Sequence, residues 1–305
     1  MKKKDIQKLK TEFKTKLESF AKGLPSYTLT EDGQWSVKGF IDVFKNVYTI
    51  SSDTKIVSKI VEIHLLPKIL KFAEDIGYMV VLTDFQNWYP DLSFVSKSDP
   101  TIKFAVDIKT TYLSSEHSGH CNGFTLGSHG TYFINRKSTK NIQFPYSEYI
   151  AHLCLGIIYT RGEIQSQSPF GVYGVKELTA EPTESQKNIH VTAVDSLRSI
   201  TSVVKDFKFF VKEKWEIASD RSGSGNTANI GSITKVEDIL NGNGMFKDLG
   251  EKWFDDYWMN YGRIITKDSK GVSKKITKLS DFLEFKGKNR SLINPRAKKV
   301  RVKKG

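Results

Sequence analysis

Hydrophobic positions along this chain fall into two periods, and the places where the period changes mark the elements. In residues 1–24 the apolar side chains Ile6, Leu9, Phe13, Leu17 and Phe20 recur every three or four positions with lysines between them, which predicts an amphipathic helix. Its stripe needs a partner, and the interspersed Asp5, Glu12 and Glu18 favour a packed or dimer-facing helix over one lying on a membrane. After Gly33, residues 35–44 and 46–50 read as strands. Asp53 or Thr54 can cap a longer helix running towards Ile76, with Pro67 as a site for a kink and Gly77 as its stop. Residues 78–82 and 92–96 are short runs of strand formers. Residues 102–109 alternate strictly, with Ile102, Phe104, Val106 and Ile108 on one face and Lys103, Ala105, Asp107 and Lys109 on the other, the pattern of a half-buried strand. Ser98-Asp99-Pro100 before it is turn chemistry. Residues 113–130 read as loop, 148–161 as a buried helix, 205–218 as strand-like, 219–233 as a glycine-rich loop, and 246–261 as an aromatic helix. Residues 162–204 show no legible period, and 294–305 form a basic tail of disordered composition.

Composition adds a partner. The 305 residues are 38% hydrophobic and 12% aromatic, enough to fill a real core. Forty-seven Lys and Arg against 34 Asp and Glu give a formal charge of +13, which favours a polyanion such as nucleic acid or an anionic membrane surface. No apolar run approaches the ~20 residues of a spanning helix, and residues 1–24 lack the apolar core of a signal peptide, so a cytoplasmic location is expected. Cys121 and Cys154 are too few for a disulfide framework and read as reduced thiols.

The candidate chemistry sits around the alternating strand. A hairpin folding at residues 98–100 brings Asp91 near Asp107, with Lys109 on the same face as Asp107. Two carboxylates so close are costly unless a cation lies between them, and hard oxygen ligands with open positions suit Mg²⁺. Taken alone, Asp-x-Lys on an exposed face is a solvated pair, and Glu62, one turn after Lys59, reads as its ion-pair partner. His117, His120, Cys121 and His129 lie in one loop, but their spacing fits no standard zinc pattern and a polar surface loop explains them better. His152 and Cys154 are better explained by packing than by chemistry.

Pro90-Asp91 followed by Asp107-Ile108-Lys109 resembles the PD-(D/E)-x-K signature of metal-dependent nucleases. The wording SSDTK at 51–55, QNWYPD at 86–91, VDIKTTY at 106–112, FTLG at 124–127, YIAH at 149–152 and SGSGNTANIGSI at 222–233 further resembles the EcoRV-like type II restriction endonucleases, from about Trp35 to about Tyr261. The resemblance implies an α/β restriction-endonuclease-like fold with a mixed central sheet flanked by helices. It implies Mg-dependent cleavage of double-stranded DNA at a palindrome, GATATC cut to blunt ends, by a homodimer paired with a cognate DNA methyltransferase. Asp91, Asp107 and Lys109 become the catalytic residues. Asp91, Asp107 and the Ile108 carbonyl become metal ligands, and Glu62 becomes a candidate for a second metal or its water.

The same likeness makes Gly223, Ser224, Gly225, Asn226, Thr227 and Asn229 a DNA-reading loop, and places Gln86 and Asn87 near the minor groove. Glycines let a backbone approach base edges, and Asn can bond adenine with both ends of its amide. Lys140 becomes a candidate phosphate contact beside its reading as a solvated lysine. Trp88 stands where the family pattern has a histidine, and roughly twenty residues at 179–204 exceed the pattern, a size above usual loop lengths. On this reading residues 1–50 are an N-terminal helix and dimerisation region, 51–265 the catalytic and DNA-binding core, and 266–305 a basic C-terminal segment. Two rivals remain: a structure-specific repair or recombination nuclease with the same core, and a non-cleaving DNA-binding protein.

Overall fold

The computed structural model describes all residues except 1–2, 44–45, 84, 86–87, 163–171, 175–201, 224–227, 268–270 and 298–305. The chain forms two compact units, each assembled from separated segments: Met1–Lys22, Lys68–Ile157 and Phe210–Gly305 in one, Gly23–Pro67 and Ile158–Phe209 in the other.

A five-stranded sheet positions the site. Strands β3 (Tyr78–Leu82), β4 (Leu92–Ser96), β5 (Lys103–Tyr112), β7 (Tyr149–Arg161) and β9 (Val204–Glu213) lie in the order β3-β4-β5-β7-β9, with β3-β4 and β4-β5 antiparallel. The fold is mixed α/β, with a mixed central sheet and helices. β5 is therefore an interior strand, not an edge strand, and both of its faces are covered: Phe104, Ala105, Val106 and Asp107 are all buried. Strict alternation suggested a half-buried strand because Ala105 and Asp107 count as polar-side residues in the pattern. Neighbouring elements bury that side too.

Helix α1 (Lys3–Thr28) covers the apolar face as its stripe predicts. The Phe13 ring stacks on Phe104 at 4.0 Å and meets the edge of Phe94, which is the cross-strand partner of Phe104. Burying a side chain of this size stabilises by about 1.5–3 kcal/mol, and the cluster fixes the back of β4 and β5. Asp53 does cap α2 (Thr54–Asp75), its Oδ1 accepting from the Lys55 and Ile56 amides at 2.9 and 3.2 Å. The turn at 98–100 forms as read, with Asp99 Oδ1 accepting from the Thr101 amide at 2.9 Å.

Four segments differ from the sequence reading. Residues 149–161 are strand β7, not a helix. A continuous apolar run buried on both faces carries no period, and here the sheet supplies backbone partners on both sides. Residues 214–217 are a helical turn, α4 (Lys214–Ile217), because Glu213 and Glu216 close a capping box around it. The segment read as loop contains β6 (Thr125–Ser128) and is followed by α3 (Thr131–Ile134). β6 pairs with β11 (Asn229–Ser232), which pairs in turn with β10 (Ala218–Ser222). Among the described residues of 35–50, β1 (Gly39–Ile41) and β2 (Asn46–Thr49) are strands, joined in the second unit by β8 (Val172–Gly174). The aromatic segment forms a helix as read, α6 (Glu251–Asn260), following α5 (Val236–Asn241), and packs Phe254, Tyr257 and Trp258 into the interior.

Candidate active site

The chain enters the site through Tyr89, which is held from several sides. Its amide donates to the Asn141 carbonyl at 3.1 Å, and its own carbonyl accepts from the Gln143 amide at 2.9 Å. Its hydroxyl lies 2.9 Å from His152 Nδ1, and its ring stacks with Tyr132. Gln143 Nε2 donates to the Pro90 carbonyl at 3.1 Å. Asp91, the residue that follows and immediately precedes β4, is therefore placed from a fixed frame.

The pairing Leu92↔Val106 sets the next residues outward, Asp91 and Asp107, against each other. The Asp91 amide donates to Asp107 Oδ1 at 3.3 Å, while the Ile108 amide donates to Asp91 Oδ2 at 2.7 Å. Each carboxylate is thus anchored by the other strand's backbone. Lys109 Nζ lies 3.0 Å from Asp107 Oδ2 and 3.9 Å from Asp91 Oδ2. A second lysine, Lys214 at the start of α4, lies 4.0 Å from Asp107 Oδ2 and 3.6 Å from the Tyr89 ring centroid.

These charges set each other. Burial raises the Asp107 pKa, but the Lys109 and Lys214 ammoniums outweigh it and hold the carboxyl below its usual value. Burial also works against the Lys109 charge, yet Asp107 and Asp91 outweigh it and raise the ammonium well above its ordinary range. For Lys214 burial wins, pushing it down to about 8, with Asp107 pulling the other way. His152 is buried neutral, its pKa well below the usual value mainly through loss of solvent.

Two anchored carboxylates with a lysine beside them fit a hard divalent cation that keeps open positions. Among the described residues no three His, Cys, Asp or Glu side chains gather as a metal group, so a cation here would rely on oxygens from water or substrate as well. The loop cysteine and histidines form no such group either, and Cys121 and His129 prove buried rather than exposed. Burial pushes the Cys121 thiol up to about 12.

Residues 31–183 and 172–287 match the sequence model of a family described as restriction endonuclease EcoRV. The chain belongs to the EcoRV restriction endonuclease family. The type II restriction enzyme EcoRV of Escherichia coli is 39% identical over 234 residues, 76% of this chain and 85% of that protein. Family membership makes the chain a site-specific deoxyribonuclease, and EcoRV-family nucleases are typically dependent on a divalent metal. No helix among the described residues is long and apolar enough to cross a membrane.

The structure brings Asp91, Asp107, Lys109 and the backbone of Ile108 together. Glu62 belongs to the other unit, where it pairs with Lys59 at 2.5 Å. Lys140 is exposed in the turn after α3. Gly223 and Asn229 frame the β10–β11 loop, the Gly223 amide donating to the Asn229 carbonyl at 2.8 Å. Gln86, Asn87, Ser224, Gly225, Asn226 and Thr227 lie outside the described residues, as does the additional segment at 179–201. Sequence reasoning missed Lys214 and the framing role of Tyr89, while His152, which it assigned to packing, is indeed buried against Tyr89. The first sits in a polar run with nothing to single it out, and the second is an ordinary aromatic position until the fold sets it behind Asp91.

Proposed function

We propose that this family member is a homodimeric, Mg²⁺-dependent endonuclease that cuts both strands of GATATC at its centre and leaves blunt ends. The observation that carries the reading is the interlocked pair of Asp91 and Asp107, each bonded by the opposite strand, with Lys109 3.0 Å from one and 3.9 Å from the other. When bound, Mg²⁺ would supply charge neutralisation at the phosphoryl oxygens and acidify the attacking water. Asp91, Asp107 and the Ile108 carbonyl would hold it. Lys109, whose raised pKa keeps it a cation at neutral pH, would orient the water and donate to the oxygen on which charge develops. Glu62 is a candidate ligand for a second cation or for a metal-bound water.

The loop from Gly223 to Asn229 would enter the major groove. Backbone groups at Gly223, Ser224 and Gly225 would meet the outer pairs, Asn226 would bond adenine, and Thr227 would touch the thymine methyl. A central TA step is easily unstacked and can be selected through the cost of bending. Gln86 and Asn87 would lie by the minor groove, and Lys140 would meet a phosphate. Two subunits would serve two antiparallel strands symmetrically. A cognate DNA methyltransferase is the expected companion, and the cytoplasm the expected place of action.

Digestion of a plasmid of known sequence with Mg²⁺, an EDTA control and end sequencing tests this. Blunt ends at GATATC are expected. A different palindrome or staggered ends would overturn the site, and cleavage in EDTA would overturn the metal.

A further inference from the structure

Residues 262–285 carry positive charge that the mechanism above leaves unused. Strands β12 (Ile265–Lys267) and β13 (Ser273–Lys275) make a two-stranded ribbon in the register Ile265↔Lys275, Thr266↔Lys274 and Lys267↔Ser273. Directly opposed residues share a face, so Ile265, Lys267, Ser273 and Lys275 lie on one side and Thr266 and Lys274 on the other. The second side meets α7 (Leu279–Phe285), where Asp281 Oδ2 lies 2.8 Å from Lys274 Nζ. All four residues of the first side are exposed. Neither Lys267 nor Lys275 has a carboxylate at ion-pair distance among the described residues, and the described part of 262–280 holds no acidic side chain; Asp268 lies outside it.

A ribbon this short is marginal in water by itself, and this one is tied down beside the proposed DNA-reading loop. The Leu279 amide donates to Asp220 Oδ2 at 3.2 Å, and the Tyr257 hydroxyl donates to the Asp220 carbonyl at 2.6 Å. Phe282 packs against the Trp253 and Tyr257 rings, while Ile276, Leu279 and Leu283 are buried beneath the ribbon's end. Asp220 belongs to β10, the strand that delivers Gly223. Three residues of strand span about 10 Å, the length of about three base pairs. Lys267 and Lys275 occupy diagonal positions, about 7–8 Å apart, so two long side chains can reach different phosphates. We propose that the Lys267–Lys275 face docks the phosphates of duplex DNA flanking the recognition site, without regard to sequence. The family acts on DNA, the face carries the complementary charge, and lysine grips phosphate without reading bases. The inference rests on the reading of residues 223–229 as the DNA-reading loop.

Lys267→Gln combined with Lys275→Gln removes both charges from the exposed face. Fluorescence anisotropy of the full-length protein in EDTA, over a range of NaCl, compares a long duplex centred on GATATC, a long duplex lacking it, and a short duplex ending two pairs beyond the site. On both long duplexes the slope of log affinity against log salt should fall by about 0.9 per lost contact, about 2 per subunit. On the short duplex wild type and variant should coincide. Lys16→Gln with Lys22→Gln, at exposed positions of α1, removes equal charge and should leave the slope unchanged. Arginine at 267 and 275 should preserve it. An unchanged slope, an equal fall in the α1 control, or a fall that persists on the short duplex would overturn the proposal. So would weakened binding to phosphatidylserine vesicles with an unchanged DNA slope, which would assign the face to an anionic membrane. If circular dichroism shows the double variant unfolded, the single variants are read by the same criteria at half the shift. Asn226→Ala tests the loop through discrimination between sequences, whereas the slope on the duplex lacking GATATC does not depend on that loop, so the two readings fail separately.

Discussion

Two antiparallel hairpins carry the proposed activity, and they are built on opposite rules. The β4–β5 pair runs in unbroken register from Leu92↔Val106 to Val95↔Lys103, and its function depends on side chains that this register sets opposite one another. The β10–β11 pair shifts register between Ala218 and Ser222, and β11 shifts again against β6. It depends on side chains being absent: a Cβ at Gly231 would lie 2.5 Å from the Arg221 carbonyl oxygen, and one at Gly223 would lie 2.5 Å from Thr125 Cγ2. A site for chemistry needs fixed charges on an interior strand. A segment that must bring its backbone close to something else needs room.

The strongest way to break the comparison is at the charges. Asp107→Ala should lower plasmid cleavage by about 10³-fold or more while circular dichroism stays native, since it removes a proposed ligand from a frame that Phe13, Phe94 and Phe104 maintain. Near-wild-type nicking would refute the assignment. On the other hairpin, Gly231→Ala should cost about 1–3 kcal/mol in urea unfolding, because the obstacle is backbone. Gly223→Ala should cost less, because the Thr125 side chain can turn away. Equal losses would mean that backbone closeness is not what the glycines provide. Asn226→Ala should reduce discrimination between GATATC and single-pair variants by about 1–3 kcal/mol, read from competitive cleavage, with little effect on melting.

The smallest effect concerns the support behind Tyr89. His152 is neutral in the fold with its pKa below 6.5, so the unfolded chain binds a proton there that the folded chain does not. Its contribution therefore falls as pH drops below about 6.5, with a slope approaching about 1.4 kcal/mol per pH unit. Denaturant titrations of wild type and His152→Gln between pH 7.5 and about 5 should diverge, the variant losing less. Parallel curves would show that the histidine is not the acid-sensitive part of the frame.

What the sequence determined by itself follows from local rules. The strands at 78–82 and 92–96, the Asp53 cap, the stripe of α1 and the turn at Asp99 all rest on periods of 2 or 3.6 and on hydrogen bonds within a few residues, and all are present. The hairpin spacing likewise implied that Asp91 would meet Asp107. The tertiary structure alone decided that β5 is interior, because alternation cannot tell a solvated face from one covered by other elements. It alone made 149–161 a strand, because an apolar run buried on every side has no period to read. It also gathered Lys214 and His152 around Tyr89 from segments far apart in sequence. Long-range neighbours fix the burial and charge of those groups, and no spacing within one segment encodes them.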